Sequence, residues 1–463
     1  GIPDQIDLSA APQTEKEMLA VLRGSGPASE KAASCKLLAI HGTAAAASEL
    51  GKLLDDPQLS SWARIALEAI PDPACDQALR NATNSVSGKL LIGVINSIGV
   101  RQDAAATDLL TKLLDDPDAG VASAAAVALG KIGGDDAERA LLALLSDGPA
   151  QVRSAAAEGC VLCAERQLAS GNADQAIKIY DAVRAADVPV QRVLEATRGA
   201  ILARSQDGIP MLIEQLQSPE QRHFQMALST AREMPGNHVD AALAKAWQDL
   251  AAARAALVVL AMADRRDTVS VQDVLTAARK GPPVVQAAAV QALGQVGDAS
   301  SVQSLLELAR GASDEMRTSI VESLAAAPDP KIDEKIRTLL QSAEGERFAL
   351  LAEVAGARRI DAVDSLLDSL DDSDATVRQA SLAALGETIS LDRLSVLIEQ
   401  AVRPPHPEDA AAAAKALKTA SVRMADRESC AAKLAKAMNA ASAVETKLML
   451  LDVLGALGGR PTL

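Results

Sequence analysis

Aromatic residues are almost missing from this chain of 463 residues. It has two Trp, one Tyr and two Phe, although 49% of its residues are hydrophobic. Globular cores usually rely on large aromatic side chains, and β-sandwiches need β-branched and aromatic residues. Alanine, leucine and valine supply the apolar content here, and Ala and Leu are the strongest helix formers. We therefore predict an all-α protein of closely packed helices.

Positive charge is also scarce. The chain has 61 acidic against 46 basic residues, which gives a net charge of −15. Nucleic-acid binding needs a basic face that neutralises phosphates, so we expect no nucleic-acid partner and no docking on anionic lipid. Since no apolar run approaches the roughly 18 residues of a membrane span, we also expect no membrane insertion. A monomer is the expected state.

Histidine and cysteine are too few and too scattered to build a metal site. The four histidines, His41, His223, His238 and His406, share no helical face. Cys160 and Cys163 form a C-x-x-C, but Ala164 follows where haem attachment requires His. With Cys35, Cys75 and Cys430 they are expected to be free, buried, apolar side chains. We predict no metal, no cofactor and no catalytic residue.

Internal repetition is the strongest signal in the sequence. Residues 103–134 and 361–390 both have an acidic start, a Leu-rich helix, an acidic turn, an Ala-rich helix and then Gly; residues 282–310 repeat part of the pattern. Apolar residues recur at helical spacing within each unit. We predict about fourteen helix pairs, beginning near residues 14, 44, 74, 103, 135, 172, 208, 239, 269, 300, 331, 361, 391 and 428.

The repeats resemble the HEAT family in its short bacterial form. The pattern D-x-x-x-x-V-R-x-A-A-x-x-A-L-G carries the resemblance. It is matched at Asp147, Val152, Arg153 and Ala155–Ala156, and again at Asp372, Val377, Arg378, Ala383–Ala384, Leu385 and Gly386. The resemblance implies a right-handed α-solenoid over residues 1–463 as a single domain, expected to be a fragment of a longer chain. Several segments are similar to large exported bacterial HEAT-repeat proteins, which implies a periplasmic or secreted location.

One unit departs from the pattern. Residues 152–169 predict an unusually long helix, followed by Gly171 and the segment 176–183, AIKIYDAV. An Ala- and Tyr-bearing helix after a Gly turn is similar to a tetratricopeptide-type unit. A longer HEAT unit is the alternative.

Acidic turns and Asp–Arg pairs are expected to be structural. The turns at 115–118 and 371–374 lack the Gly-centred loop and distal Glu of a calcium site, so their carboxylates are predicted to cap the next helix. The resemblance implies that Asp147 with Arg153, and Asp372 with Arg378, belong to an Asp–Arg ladder between successive units.

In a HEAT solenoid the second helix of each pair lines the concave face, so polar or aromatic residues within these Ala-rich helices are candidates for contact. Trp and Arg are enriched at binding hot spots. The candidate binding residues are Trp62, Arg64, Asn96, Ser97, Arg101, Glu158, Arg198 and Arg232. The alternative is that Trp62 fills a gap between units and that the arginines are solvated or belong to the ladder.

We therefore predict a non-enzymatic scaffold that offers an extended concave surface to a protein partner or a tethered domain. One alternative is an accessory array of a secreted polysaccharide-degrading or c-type cytochrome protein. Another is a HEAT-fold bilin lyase. A HEAT-fold glycosylase is disfavoured by the net negative charge, and the HEAT-fold di-iron hydroxylases carry His-Glu pairs that this sequence lacks.

Overall fold

The computed structural model describes residues 14–458 as α-helices joined by short loops, and no β-strand occurs in this part of the chain. Contacts between residues divide the chain into two compact units, 1–230 and 231–463. The predicted all-α fold is confirmed. Because alanine and leucine dominate the buried positions, the helices pack closely without large aromatic side chains.

The first unit contains six helix pairs and the start of a seventh. Its helices are α1 (Glu15–Arg23), α2 (Ala28–His41), α3 (Ala44–Gly51), α4 (Ser60–Ala69), α5 (Pro73–Ala82), α6 (Gly88–Arg101), α7 (Thr107–Leu113), α8 (Ala119–Ile132), α9 (Asp135–Asp147), α10 (Ala150–Ala169), α11 (Ala173–Ala185), α12 (Val190–Arg204), α13 (Ile209–Gln217) and α14 (Gln221–Glu233). Helix α14 runs across the boundary between the units.

The second unit continues with the same kind of pair. Its helices are α15 (Asn237–Ala246), α16 (Ala252–Asp264), α17 (Val271–Lys280), α18 (Pro283–Val296), α19 (Ser301–Ala309), α20 (Asp314–Ala326), α21 (Lys331–Leu340), α22 (Gly345–Arg358), α23 (Val363–Asp368), α24 (Ala375–Thr388), α25 (Leu394–Val402), α26 (Ala410–Arg423), α27 (Arg427–Ala440) and α28 (Val444–Leu457). The described residues thus contain fourteen pairs, as predicted.

Each unit is built from two layers of helices. In the first unit the second helices of successive pairs, α2, α4, α6, α8, α10 and α12, contact one another in order. In the second unit α16, α18, α20, α22, α24, α26 and α28 do the same, while the first helices form the other layer. Each pair therefore buries its apolar faces mainly against its neighbours, which is how a solenoid is stabilised.

Glycine lets the second helices touch backbone to backbone. A Cβ added at Gly130 of α8 would lie 2.5 Å from the Cα of Gly159 in α10, which is closer than two atoms can approach. A Cβ added at Gly99 would lie 2.9 Å from the Cα of Ala128, and one added at Gly356 would lie 2.9 Å from the Cα of Ala384, in each case in the next second helix. The glycine of the repeated A-L-G pattern is thus a close-packing position between consecutive repeats.

The acidic turns cap helices, as predicted. A carboxylate oxygen of Asp118 accepts a hydrogen bond from the amide of Gly120 at 2.8 Å, at the start of α8. Asp374 caps α24 in the same way through the amide of Thr376, also at 2.8 Å. These carboxylates satisfy amides that have no partner within the helix.

The repeat that departs from the common pattern contains the predicted long helix, since α10 has 20 residues. Tyr180 of α11 is buried, and a Cβ added at Gly199 of α12 would lie 2.3 Å from its ring. The tyrosine ring therefore packs closely against the backbone of the second helix at Gly199. A tetratricopeptide-like origin of this unit stays a prediction.

Candidate interaction surface

All eight predicted binding residues lie on second helices. Trp62 and Arg64 are on α4, Asn96, Ser97 and Arg101 on α6, Glu158 on α10, Arg198 on α12 and Arg232 on α14. Their side chains differ widely in exposure. Asn96 is exposed, Trp62 and Arg198 are half-buried, and Ser97 is fully buried.

Arg64 and Ser97 meet between α4 and α6. The Arg64 guanidinium donates to the carbonyl of Gly93 at 3.2 Å and to the Ser97 hydroxyl at 3.4 Å. The Ser97 hydroxyl donates in turn to the carboxylate of Glu68 at 2.5 Å. Gly93 leaves room for the guanidinium, because a Cβ there would lie 2.9 Å from Nε of Arg64. This polar cluster joins the second helices of two repeats.

The Arg101 side chain lies at the junction between two repeats and binds groups of both. Its guanidinium donates to four backbone carbonyls at the end of α4 and in the following loop, those of Leu67, Glu68, Ile70 and Asp72. It also pairs with the carboxylate of Asp76 on α5, and only 9% of the side chain is exposed. The carbonyls at a helix C-terminus lack helical partners and carry partial negative charge, so a cation there is stabilising.

The same arrangement recurs twice in the second unit, at Arg265 and Arg358. Arg265 donates to the carbonyls of Ala231, Met234 and Gly236 and to the carboxylate of Asp240. Arg358 donates to the carbonyls of Leu324, Ala325, Ala327 and Asp329 and to the carboxylate of Asp333. We call each such set an arginine clamp.

The three clamps share one sequence register. In each, the arginine binds carbonyls 34, 31 and 29 residues earlier and a carboxylate 25 residues earlier. The loop in each case reads Pro, then Asp or Gly, then three residues, then the pairing Asp: PDPACD, PGNHVD and PDPKID. This spaced motif is a signal that the sequence contains, although it is not among the predicted features.

Two other candidates, Glu158 and Arg232, form ion pairs with residues of neighbouring helices. Glu158 forms an ion pair with Arg192 of α12. Nε of Arg232 lies 2.6 Å from a carboxylate oxygen of Asp264, with 38% and 43% of the two side chains exposed. The structure therefore brings Arg64, Ser97 and Arg101 together around Glu68, whereas Glu158, Arg198 and Arg232 stand on separate helices. No observation tests their role in binding, which stays a prediction.

The arginines of the Asp–Arg ladder pair with carboxylates other than the predicted Asp147 and Asp372. Nε of Arg378 lies 2.6 Å from Asp409, and a terminal nitrogen of Arg378 lies 2.8 Å from Glu408, both in the next repeat. Arg153 likewise pairs with Asp187 at 3.1 Å. Asp372 contributes its backbone carbonyl to Arg378, because its carboxylate already accepts the amide of Asp374. Asp147 and Asp372 are therefore not the ladder carboxylates.

Exposed hydrophobic side chains are concentrated on one layer of helices. Among the residues described, ten large hydrophobic side chains are exposed, and all ten lie on second helices: Ile40, Ile65, Val100, Val190, Leu257, Val284, Val422, Val444, Leu448 and Leu451. None of them is among the predicted contact residues, which are polar or aromatic residues of Ala-rich helices. We call the outward surface of this layer the second-helix face.

Two shallow grooves lie on the second-helix face of the second unit. The first runs across α16, α18 and α20, and its lining includes Leu260, Val284, Ala287, Gln291, Ser319 and Glu322. The second runs across α22, α24 and α26, and its lining includes Glu353, Ala357, Ala383, Glu387, Lys415 and Thr419. Alanine, glycine and serine together are the most frequent residues of the two linings.

The cysteine side chains lie in the packed interior between helices. All five cysteines are free and buried, as predicted. Burial raises the pKa of the Cys35 and Cys163 thiols to about 12 and raises that of Cys160 as well, which suppresses the reactive thiolate. Residues 14–458 also contain no group of three or more His, Cys, Asp or Glu side chains able to hold a metal ion.

No helix within the described residues is both long and apolar enough to cross a membrane.

Two segments, residues 77–160 and 248–325, match the sequence profile of HEAT repeats. The chain therefore contains HEAT repeats in both units. The matched segments lie on α5 to α10 in the first unit and extend as far as α20 in the second. No curated protein matches the HEAT-repeat chain in sequence at a significant level.

Several solved structures are similar to the HEAT-repeat chain at low identity. Importin beta is 10% identical, with a TM-score of 0.41, over 96% of this chain and 72% of that one. Kap121p is 11% identical, with a TM-score of 0.44, over 96% of this chain and 55% of that one. Human deoxyhypusine hydroxylase is 20% identical, with a TM-score of 0.27, over 74% of this chain and 95% of that one. These similarities assign no function.

Proposed function

We propose that this HEAT-repeat protein is a non-enzymatic scaffold that binds a protein partner on its second-helix face. One observation carries the proposal: outside α28, every exposed large hydrophobic side chain among the described residues lies on a second helix. Single exposed apolar residues are normal on a protein surface, whereas their concentration on one face is typical of an interaction site.

In the first unit the proposed contact surface lies on α4 and α6, which pack against each other. Ile65 is 50% exposed and Val100 is 52% exposed. Trp62 precedes Ile65 by three residues and Asn96 precedes Val100 by four, so each pair shares a helix face. The proposed contacts are thus a half-buried aromatic ring, two aliphatic side chains and one amide, which is a usual composition for a binding surface.

In the second unit the proposed surface is the groove across α16, α18 and α20. Val284 is 48% exposed on its lining, and Leu257 of α16 is 41% exposed. Alanine, serine and glycine residues of three helices form most of the rest of the lining, together with Leu260, Gln291, Gln295 and Glu322. A groove lined largely by small residues, with exposed aliphatic side chains on the same helices, fits a helix or an extended segment of a protein partner.

Photo-cross-linking tests which layer of helices contacts the partner. A photoreactive residue is placed at position 65, 100, 257 or 284, and at the exposed first-helix positions 139 and 338 as controls. We expect adducts with one and the same protein from the second-helix positions and none from the controls. Equal labelling from both layers, or labelling from the first helices alone, would refute the proposal.

A matched pair of substitutions then separates binding from folding. Val284→Glu places a charge on the groove, and Thr338→Glu places the same charge on the first helix α21. We expect Val284→Glu to weaken binding of the cross-linked protein by about 2 kcal/mol, as for a typical hot spot. Both variants are expected to unfold like the parent, because surface changes usually alter stability by only about 0.5 kcal/mol. The accessory-array and bilin-lyase alternatives stay predictions, and no described residue favours them.

A further inference from the structure

Four consecutive second helices of the second unit carry a regular row of side chains on the second-helix face. Leu260 of α16, Gln291 of α18, Glu322 of α20 and Glu353 of α22 follow one another at intervals of 31 residues. The first three line one of the two grooves described above, and Glu353 lines the other. Each of these helices packs against the next, so the row crosses the repeats. We call these four residues the groove row.

The two glutamates of the groove row have no cation beside them. Glu322 and Glu353 are exposed, and neither forms a hydrogen bond or an ion pair with another residue in the part of the chain that the structure describes. The walls of the groove partly desolvate Glu353 and raise its pKa, and Arg317 opposes this shift. Arg317 itself pairs with Glu346, at 3.3 Å. A cation bound beside Glu353 would therefore replace the hydration that the groove removes.

Glu158 occupies the equivalent position in the first unit and shows what such a glutamate binds. The residue after Glu158 lies against the glycine of the preceding second helix, and so does the residue after Glu322. Glu158 forms an ion pair with the guanidinium of Arg192. None of the described side chains fills this role for Glu322 or Glu353, so the cation is left for another molecule to supply.

The first groove also offers hydrogen-bonding groups that suit a free backbone. The Gln291 amide is exposed and makes no hydrogen bond with the other described residues. Ser323 lines the same groove and is 5% exposed, and its hydroxyl has no hydrogen-bond partner among the residues described. A buried hydroxyl without a partner is unfavourable. An α-helix bonds its backbone groups internally, whereas an extended segment leaves them available, so these two side chains favour an extended ligand.

The spacing of the groove row fits one extended conformation. Packed neighbouring helices lie about 8–10 Å apart, and equivalent positions on them are separated by about the same distance. A polyproline II segment has about three residues per turn and rises about 3.1 Å per residue, so every third side chain points the same way about 9 Å further along. In a β-strand every third side chain points to the opposite face instead.

We infer that the groove row binds an extended segment of a protein partner, in polyproline II conformation, with two basic side chains three residues apart. One basic side chain pairs with Glu322 and the other with Glu353. The Gln291 amide and the Ser323 hydroxyl bond the backbone of the segment, and an apolar side chain of the segment contacts Leu260. The inference rests on the proposed function, since it specifies which chemistry the partner presents to the second-helix face.

Peptides of defined sequence test the inference. The probe is a fluorescent, proline-rich peptide with leucine, glutamine, arginine and arginine at every third position, and fluorescence anisotropy measures its binding to the full chain. We expect Glu322→Gln and Glu353→Gln each to weaken binding about tenfold, because each removes one charge pair. Glu334→Gln removes the same charge from an exposed position on the first helix α21 and is expected to leave binding unchanged.

A charge swap separates direct pairing from general attraction to an acidic protein. The double variant Glu322→Arg with Glu353→Arg is expected to bind a probe with two glutamates in place of the arginines and to reject the original probe. A probe of the same composition with its arginines two residues apart is expected to bind the parent about tenfold more weakly, since these side chains point to different sides.

Several results would overturn the inference. They are no binding of the probe to the parent, equal binding of the two arginine spacings, an equal effect of Glu334→Gln, and a preference for a helical peptide with arginines seven residues apart. The last result would show that the partner segment is an α-helix, in which seven residues also span about 10 Å on one face.

Photo-cross-linking keeps this inference separate from the proposed function. If positions 257 and 284 label a protein that binds Glu322→Gln and Glu353→Gln as tightly as the parent, other contacts hold that protein. The inference is then wrong and the proposed function stands. If the second-helix positions label no protein, the proposed function fails.

Discussion

Arg265 and Asp240 form an enclosed ion pair that ties the end of α16 to the start of its partner helix α15. Nε of Arg265 lies 2.7 Å from a carboxylate oxygen of Asp240, and the two side chains are 4% and 3% exposed. The same guanidinium donates to the carbonyls of Ala231 and Met234, at the end of the preceding repeat. One side chain thus joins three helices.

Removing this arginine is expected to destabilise the second unit strongly. Arg265→Met leaves Asp240 charged and buried, and breaking a buried pair in this way costs about 3–5 kcal/mol. Trp247, which is 5% exposed, lies in the second unit and reports its unfolding by fluorescence, whereas Trp62 is in the first unit. Denaturant unfolding of a Trp62→Phe background measures the change.

Arg232→Met is the matched control for that experiment, because Arg232 pairs with Asp264 on the surface of the same unit. An exposed pair is worth about 0–1 kcal/mol. Equal losses of unfolding free energy in Arg265→Met and Arg232→Met would show that burial does not determine how much the clamp contributes to stability.

The glycine contact between α8 and α10 is expected to be intolerant of a single methyl group. Gly130→Ala places a Cβ 2.5 Å from the Cα of Gly159, and overpacking of this kind costs about 1–3 kcal/mol. Gly455→Ala is the matched control. It lies near the end of α28, where no atom of residues 14–458 lies within 4 Å of a Cβ built on it, so the same substitution is expected to stabilise by about 0.5–1 kcal/mol. Thermal unfolding of both variants should give changes of opposite sign.

Substitutions at Arg101 and Asn96, which are both on α6, are expected to have different effects on stability. Arg101→Ala removes a guanidinium that serves four carbonyls and Asp76. Hydrogen bonds to charged groups contribute about 1.5–3 kcal/mol each, so the variant should lose at least about 2 kcal/mol of stability. Asn96→Ala alters an exposed side chain and should change stability by only about 0.5 kcal/mol. An unaffected melting temperature in Arg101→Ala would show that the clamp is dispensable.

Asp329 is expected to give the protein part of its acid sensitivity. Amide hydrogen bonds from Lys331 and Ala299, both at 3.0 Å, lower its pKa from the ordinary 3.8. The stabilisation is therefore complete above the unfolded-state pKa and is lost as the pH falls through the lower folded-state pKa. Asp329→Ala should be less stable than the parent at pH 7 and should converge with it at strongly acidic pH.

Asp329→Asn is the control for the pH series, because it keeps an acceptor oxygen but does not titrate. Urea unfolding midpoints across the series measure the three proteins. A constant difference between the parent and Asp329→Ala at every pH would contradict a role for the ionised carboxylate.

The register of the helix pairs could be predicted because it depends on local signals. Leu and Ala recur at helical spacing, and Gly or Asp marks the turns, as at Asp118 and Asp374. The acidic turns were correctly predicted as caps for the same reason: a carboxylate two residues before a free amide is a local arrangement.

The arginine clamps could not be predicted by the same reasoning. Arg101 and Arg265 mainly bind backbone carbonyls, and a carbonyl has no residue type to recognise in a sequence. The ladder carboxylates were misassigned for a related reason. Asp372 is nearest to Arg378 in sequence, but its oxygen is used in its own turn, so Arg378 pairs with Asp409 of the next repeat.

The exposed face was missed because exposure depends on neighbours. Ile65 and Leu67 are both aliphatic residues of α4, yet the first is 50% exposed and the second fully buried. The two residues are about 200° apart around the helix axis, so they lie on opposite faces. Which face is covered depends on how the helices of other repeats pack against α4.

The fixed register of the clamps has a consequence for synthesis of the protein. Apart from the Thr268 hydroxyl, which also accepts from Arg265, every group that Arg101, Arg265 or Arg358 binds lies 25 to 34 residues upstream of it, so these partners are synthesised before the arginine. Contacts this local favour rapid folding, and N-terminal segments fold first during translation. Each clamp can therefore close soon after its arginine emerges, and three junctions between repeats are secured in the order in which the chain is made.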